Sequence, residues 1–225
     1  MLRDFILTGL GGVILLLACE SIIHLLRLKG ENARKLVHIV IAIYAATWAL
    51  YLDSTVIALI SVILVSVVVI VQKYPILQSL KTINRVTYGE IWYPLGIGLS
   101  AILFANPYIY AIAVLHMGLA DGLAAVVGVG MGKEAKKFKV FKQTKSLAGT
   151  LVFITTSFVI YMAYWLVLSS VTIFSQSVVN AIAISLSSAV IVAFVELFSP
   201  KGSDNILVPL AAGLLAILPA VQLII

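Results

Sequence analysis

The sequence predicts an all-α integral membrane protein, a polytopic helical bundle of about seven or eight transmembrane segments, some of them interrupted. Of the 225 residues, 62% are hydrophobic and 11% are charged, whereas soluble domains use about 45–50% apolar and 25% charged residues. Apolar runs recur along the chain, and each approaches the roughly 20 residues that a helix needs to cross a bilayer. We expect one transmembrane domain over residues 1–225, because the runs leave no stretch for a separate soluble domain.

Eight apolar runs define the expected segments, at about residues 4–26, 36–52, 54–71, 91–105, 108–131, 147–168, 177–198 and 205–224. The first run contains Glu20 and lacks a small-residue cleavage site, so we expect a retained span and not a signal peptide. In the fourth run, Pro94, Gly96 and Gly98 predict that this segment is interrupted or closely packed, and the glycines of the fifth predict the same. The single cysteine, Cys19, excludes a disulfide framework and a cysteine-based metal site.

The basic residues indicate an orientation. Every lysine and arginine except Arg3 lies in one of the four hydrophilic stretches that follow the first, third, fifth and seventh runs. If every run crosses, these stretches share one side of the membrane, which the positive-inside rule makes cytoplasmic, and both termini face the other side. Topology therefore accounts for the net charge of +6, and that charge does not indicate nucleic-acid binding.

Asp121 is a carboxylate inside the fifth run, about ten residues or about 15 Å from its cytoplasmic end if the segment is helical. An ionisable group in hydrocarbon is costly and by default marks a functional site. One interpretation is a packing residue neutralised by Arg34 or Lys35. The other is a ligand for a hard cation, because Mg²⁺ is held by one or two carboxylates together with phosphate oxygens. The flanking Gly118 and Gly122 would let a backbone or a phosphate approach closely.

The stretch after this carboxylate is rich in glycine and lysine. Its glycines, Gly128, Gly130 and Gly132, match neither the P-loop nor the dinucleotide-binding spacing, but they are compatible with a backbone nest for anions. The lysine loop that follows is typical of a basic flank on anionic lipid as much as of a ligand contact. Lys145 and Ser146 are more specific, because Ser146 can cap a helix whose free N–H groups favour phosphate.

Other polar clusters fall on the same predicted side. Arg85 and Glu90 precede the fourth run, where the alternative interpretation is an interfacial salt bridge beside an aromatic belt of Trp92 and Tyr93. Two further clusters are Arg34 to His38 and Glu196 to Asn205. This convergence is what a single active site at the cytoplasmic surface requires.

Together these clusters form five motifs in order along most of the chain. They are Arg34-Lys35-Leu-Val-His38, Arg85-x-Thr87-x-Gly89-Glu90-x-x-Tyr93-Pro94, Ala120-Asp121-Gly122-x-Ala124-Ala125-x-x-Gly128, Lys145-Ser146-x-x-Gly149 and Glu196-x-x-Ser199-Pro200-x-Gly202-x-Asp204-Asn205. The set resembles the polyprenol kinase family, which includes dolichol kinases, phytol and farnesol kinases, and the CTP-dependent diacylglycerol kinase.

The resemblance implies transfer of a phosphoryl group from a nucleoside triphosphate to the hydroxyl of a long-chain lipid alcohol, with Mg²⁺ or another divalent cation. CTP is the expected donor and ATP the alternative. The expected acceptors are dolichol or polyprenol, phytol and geranylgeraniol. By the same resemblance, activity is expected to need Arg34, Lys35, Asp121 and Gly128.

We assign the remaining roles on chemistry and position. The metal ligands are expected to be Asp121 and Asp204, and the general base for the lipid hydroxyl to be Glu90, in preference to His38. The residues expected to contact nucleotide or phosphate are Arg85, Gly122, Gly128, Lys145, Ser146, Lys201 and Asn205.

Two alternatives stay open. CDP-lipid synthases, which are cytidylyltransferases, share a glycine–aspartate segment and a Lys-Ser element, but their C-terminal signature carries two aspartates around a basic residue, where this chain has Asp204 alone. A small transporter could line a polar pathway with Asp121 and Glu20. Against the transporter, the polar residues cluster at one surface instead of threading the membrane.

Overall fold

The computed structural model describes residues 2–73, 88–132, 136–141, 143–171, 178–200 and 202–221, and these residues form a helical bundle with one small hairpin. The helices are α1 (Leu2–Leu25), α2 (Glu31–Ala46), α3 (Ser54–Lys73), α4 (Gly89–Leu103), α5 (Pro107–Leu115), α6 (Asp121–Gly130), α7 (Leu147–Val171), α8 (Val178–Phe198) and α9 (Asp204–Val221). A π-helical turn, His116–Ala120, joins α5 to α6, and a 3₁₀ turn, Trp48–Leu50, follows α2. The predicted all-α class is confirmed.

Within the described residues, each of the eight predicted apolar runs lies mainly in helix, the fifth in α5, the π turn and α6 together. Within the described residues, five segments are long and apolar enough to cross a membrane: Leu2–Leu25, Glu31–Leu50, Pro107–Gly130, Leu147–Leu166 and Val178–Phe198. The third of these is central, because 56% of it is buried inside the protein, compared with 17% for α1. The protein is therefore built as an integral membrane bundle around α5 and α6.

The fourth segment is not broken at its proline. α4 continues through Pro94, whose carbonyl accepts a 2.5 Å hydrogen bond from the Ser61 hydroxyl of α3. Its glycines serve close packing: a methyl group at Gly96 would lie 2.0 Å from the Asn205 carbonyl oxygen, and one at Gly98 would lie 2.4 Å from the Ser61 hydroxyl. Of the two predicted possibilities, interruption or close packing, α4 therefore shows close packing.

The fifth segment is helical throughout but not uniformly α-helical. The π turn ends immediately before Asp121, and π turns are rare and concentrate at functional sites. Gly118, inside this turn, lets α2 approach, because a methyl group there would lie 2.0 Å from the Ala42 side chain. The widened turn and the absent side chain bring α2 and the central segment together at the depth of Asp121.

Candidate active site at the polar end of the bundle

The centre of the candidate site is an ion pair between two helices. Lys35, in the second turn of α2, donates through Nζ to Oδ2 of Asp121, the first residue of α6. The two residues are only 4% and 7% exposed. Because taking an unpaired charge out of water is very costly, each of these groups stabilises the charged form of the other. Lys35 thus neutralises Asp121, as one of the two interpretations expected, and this contact is compatible with the other interpretation, a ligand for a hard cation, which stays a prediction.

The geometry of α2 and α6 sets how deep the pair lies. α2 and the central segment are antiparallel, since a methyl group on Gly118 would lie 2.0 Å from Ala42 and one on Gly122 would lie 2.4 Å from the earlier Ile39. From Asp121, α6 runs nine residues to its end, about 14 Å, whereas α2 begins four residues, about 6 Å, before Lys35. The pair therefore lies close to the start of α2, whereas α6 extends about two turns beyond it toward the same end of the bundle.

A second buried ion pair lies beside the first. The chain after α6 forms an antiparallel hairpin of β1 (Lys137–Val140) and β2 (Gln143–Ser146). Lys145 of β2 donates to Oε1 of Glu196, near the end of α8. Burial opposes the charged form of Lys145, but the Glu196 carboxylate outweighs this and raises the pKa of the lysine above its ordinary value. Lys145 is therefore a permanent cation at physiological pH.

Gln143 binds the hairpin to the next turn of the chain. Side chains alternate between the two faces of a strand, so Gln143 and Lys145 point to the same face of β2. The Gln143 amide donates a 2.8 Å hydrogen bond to the Ser199 carbonyl oxygen, just beyond α8. Ser146, on the opposite face, accepts a 3.1 Å hydrogen bond from the Gly149 N–H and so caps α7, as predicted.

The start of α9 completes the cluster. Asp204 accepts a 3.1 Å hydrogen bond from the Asn205 backbone N–H. Its charge interacts with those of three members of the ion pairs, Asp121, Lys35 and Lys145. The site thus contains two carboxylates of separate helices, Asp121 and Asp204, surrounded by cations.

The turn before α9 packs directly on the start of α4. The Asn205 amide donates a 2.9 Å hydrogen bond to the Gly89 carbonyl oxygen. Gly202 has a φ of 84°, which favours glycine, and a methyl group there would lie 2.8 Å from the Gly89 Cα. Glu90, the next residue of α4, is therefore held at this end of the bundle, where it is partly exposed.

Arg34 lies at the edge of the cluster. Its guanidinium forms hydrogen bonds of 2.5 and 3.2 Å with the Glu31 carboxylate, one turn earlier in α2. Its charge also interacts with Asp121 and Asp204. The Arg34 guanidinium is only partly exposed and lies close to Gly89, with Nη1 3.8 Å from where a methyl group would stand.

Most of the predicted site residues meet at this end of the bundle. Gly128 packs against the Ser146 hydroxyl, from which a methyl group would be 2.7 Å away, and Gly122 packs against Ile39. Both glycines thus have a packing reason, and their contact with phosphate stays a prediction. Arg85 and Lys201 lie outside the described residues.

Sequence reasoning included Glu196 in one of the five motifs but gave it no role of its own, and it did not single out Gln143. The signal for Glu196 was present, since it is a carboxylate inside the seventh apolar run, and the rule used for Asp121 applies to it equally. Gln143 could not be found in this way, because it is uncharged and lies in a polar loop. Its role depends on the register of the hairpin, which pairs Val140 with Gln143 and Phe138 with Lys145.

Whether the cluster suits a divalent cation can be judged from its donors. Among the described residues, no group of three or more His, Cys, Asp and Glu side chains could hold a metal ion. Mg²⁺ does not require one, because it keeps several waters and uses one or two carboxylates together with substrate phosphates. Asp121 and Asp204 supply these carboxylates, and the buried Oδ1 of Asn205 has no hydrogen-bond partner in the described part of the chain. The oxygen donors present fit a hard cation.

Comparison with known proteins agrees with this chemistry. No family model matches the chain, and no solved structure matches it. Its sequence is 33% identical over 213 residues to a phytol kinase from Synechocystis sp., and this alignment covers 93% of the chain and 87% of the relative. The similarity thus extends over nearly the whole of both proteins, so the chain belongs to the polyprenol kinase family, the family of phytol kinase.

Proposed function

We propose that this protein is a membrane lipid kinase that transfers the terminal phosphoryl group of CTP to the hydroxyl of a long-chain isoprenoid alcohol. The acceptor class follows from family membership and from the phytol kinase relative. The nucleotide follows from the resemblance of the five motifs. Phosphoryl transfer asks a protein mainly for positioning and for neutralisation of charge.

The observation that carries the proposal is the cluster of charges around Lys35 and Asp121. It joins two carboxylates, Asp121 and Asp204, to the cations Lys35 and Lys145 within one buried polar region. A transferring phosphoryl group between a metal ion and lysines needs this set of charges. A site for acyl transfer or zinc chemistry would need a different set.

We assign the roles as follows. Asp121, Asp204 and the Asn205 amide oxygen would hold Mg²⁺, which when bound neutralises the developing charge on the β- and γ-phosphates. Lys35 and Lys145 would bind phosphate oxygens, with Arg34 at the edge of the site. For Lys35 this means exchanging the Asp121 carboxylate for a phosphate.

In the reaction the alcohol oxygen forms a bond to the γ-phosphorus while the bond from that phosphorus to the β,γ-bridging oxygen breaks. The nucleoside diphosphate leaves, and the hydroxyl proton passes to a base. Glu90 is our candidate for that base, because it lies in the first turn of α4 beside Gly89, which contacts Asn205 and lies near Arg34. The alcohol enters from the bilayer and the nucleotide from the aqueous phase.

The test is a lipid-acceptor screen with purified protein in nanodiscs. Labelled CTP and ATP are supplied in parallel with phytol, geranylgeraniol, dolichol and diacylglycerol. We expect CDP and an isoprenoid monophosphate, and loss of both when EDTA removes divalent cations. Formation of pyrophosphate and a CDP-lipid would identify a cytidylyltransferase instead, and absence of turnover with every pair would overturn the kinase assignment.

We also propose that the site faces the cytoplasm and that both termini face the opposite side, because the basic residues of the described part of the chain, Arg3 excepted, lie at the site's end of the bundle. The exposed Lys139 of the hairpin allows a direct test. A Lys139→Cys variant, in a Cys19→Ala background, is treated in intact cells with a membrane-impermeant maleimide. We expect labelling only after permeabilisation, and labelling of intact cells would reverse the orientation.

A further inference from the structure

A buried histidine lies directly beneath the central ion pair. His38 is on α2, three residues after Lys35, and residues three apart share a helix face. It is 8% exposed, and among the described residues its Nδ1 has no hydrogen-bond partner. A buried polar atom without a partner is costly, and a bound group or a water is one way to satisfy it.

Tyr93 contacts both the imidazole ring and the backbone of His38. The Tyr93 ring of α4 packs against the imidazole ring with centroids 4.2 Å apart, and the Tyr93 hydroxyl donates a 2.6 Å hydrogen bond to the His38 carbonyl oxygen. Gly118 leaves room for this arrangement, because a methyl group there would lie 3.0 Å from the tyrosine oxygen. The histidine thus joins α2 to α4 at the depth of the π turn.

The other buried histidine shows what a structural role looks like. Nδ1 of His116 is hydrogen-bonded at 2.8 Å to the Ile112 carbonyl oxygen, one turn earlier in its own helix. His38 has the equivalent carbonyl of Arg34 one turn earlier, and its Nδ1 does not use it. Nε2 of His116 also lacks a partner among the described residues, but this ring packs on Tyr161 of α7, whereas His38 lies one helical turn from Lys35 on the same helix.

The depth of His38 suits the acceptor end of a lipid alcohol. α2 runs from the polar end of the bundle inward, so His38 lies about 4.5 Å farther from that end than Lys35 does. Phosphates arrive from the aqueous side and reach Lys35 first. The hydroxyl of a lipid alcohol arrives from the bilayer, so it reaches His38 before Lys35.

We propose that Nδ1 of His38 accepts a hydrogen bond from the hydroxyl of the lipid alcohol and so positions it against the phosphoryl site. This inference rests on the proposed function for the identity of the ligand. It assigns His38 to substrate binding, and it leaves the removal of the proton to another group. The site should therefore favour a free alcohol over its ether, which has no hydrogen to donate.

Substitution of His38 by asparagine or by glutamine tests which of the two ring nitrogens is needed. The amide group of asparagine can replace Nδ1 of histidine, whereas that of glutamine replaces Nε2. We expect His38→Gln and His38→Phe to raise the KM for geranylgeraniol about tenfold, the effect of one lost hydrogen bond, with the KM for CTP unchanged. His38→Asn should stay within about threefold of the wild type. His24→Gln, at an exposed histidine of α1, is the matched control.

A binding assay without nucleotide separates this inference from the proposed function. Tritiated geranylgeraniol is bound to the protein in nanodiscs, with unlabelled geranylgeraniol or its methyl ether as competitor. We expect the alcohol to compete better than the ether on the wild type and equally poorly with it on His38→Gln. If the two compete equally on the wild type, or if His38→Gln raises both KM values together, His38 does not bind the hydroxyl. A wild type that binds the alcohol but transfers no phosphate would count against the kinase alone.

Discussion

Two buried ion pairs of the same chemistry lie at the polar end of this bundle, and their surroundings differ. Lys35 and Asp121 join two helices within the membrane-spanning part, and their side chains are 5% and 9% exposed. Lys145 and Glu196 join the hairpin to the end of α8, and the Lys145 side chain is 18% exposed. Both side chains of the first pair are thus buried, whereas in the second pair the lysine side chain is partly exposed.

The two pairs also differ in what they hold in place. The Lys145 contact is accompanied by the Gln143 hydrogen bond to Ser199, so the hairpin is attached to α8 at two points. The Lys35 contact lies one helical turn from His38, on the same face of α2. We propose that a substrate exchanges the partners of the first pair, and that Lys145 of the second pair, besides contacting phosphate, orders the polypeptide around the site. The predictions below test this difference.

The largest effect is expected at Asp121. Replacing Asp121 by Asn should lower kcat at least about a thousandfold, because the proposed metal site would lose its buried carboxylate. The measurement is CTP-dependent phosphorylation of geranylgeraniol in nanodiscs. Asp53→Asn, in the loop at the opposite end of the bundle, is the control and should keep full activity. Retained turnover by Asp121→Asn would remove this residue from the mechanism.

The loss of activity can be separated from loss of fold by a double variant. Asp121→Asn leaves Lys35 charged and buried, and breaking one side of a buried ion pair costs about 3–5 kcal/mol of stability. The variant Lys35→Met with Asp121→Leu should recover most of the thermal stability while remaining inactive. A double variant as unstable as Asp121→Asn would mean that the pair itself holds the bundle together.

A smaller effect is expected for the second pair. Lys145→Met should raise the KM for CTP about tenfold and lower kcat less, because one phosphate-binding cation is lost while the metal ligands remain. Since the pKa of Lys145 is raised, the stabilisation from this pair is fully present below the ordinary lysine pKa of about 10.4 and is lost as the pH rises through the raised value. A KM for CTP that changes between pH 7 and 9 in the wild type but not in Lys145→Met would contradict this.

The smallest effect is expected at Gln143, which acts through the Ser199 turn. Gln143→Glu keeps the size of the side chain but replaces the N–H donor by an acceptor, and should raise the KM for CTP about threefold to tenfold with the KM for alcohol unchanged. Gln143→Lys restores a donor and should recover part of the loss. Thr144→Val, on the exposed opposite face of β2, is the matched control, and an equal effect there would indicate a change in the hairpin alone.

Several parts of this description were predictable because they depend on residues close in sequence. The runs of apolar residues predicted the helices to within a few residues, and the cap of α7 by Ser146 followed from residue type and spacing. Asp121 was predictable as a site residue because a carboxylate in an apolar run is costly wherever the helix packs. Pro94 shows the limit of such reasoning, since α4 continues through it.

Only the tertiary structure decided which polar groups meet. Helical periodicity specifies the face on which Lys35 lies but not the helix that this face contacts, so its pairing with Asp121, 86 residues away, was one of several possibilities. The same reason explains why sequence reasoning assigned no role to Glu196 and Gln143, and why only the structure shows that a nitrogen of His38 lacks a partner among the described residues. By itself the sequence determined a membrane bundle with its charges at one end and the family to which it belongs. The packing of α2, α4, α6, α8 and α9 decided how those charges form a site, because contacts between helices depend on where each glycine and each turn lets two backbones approach.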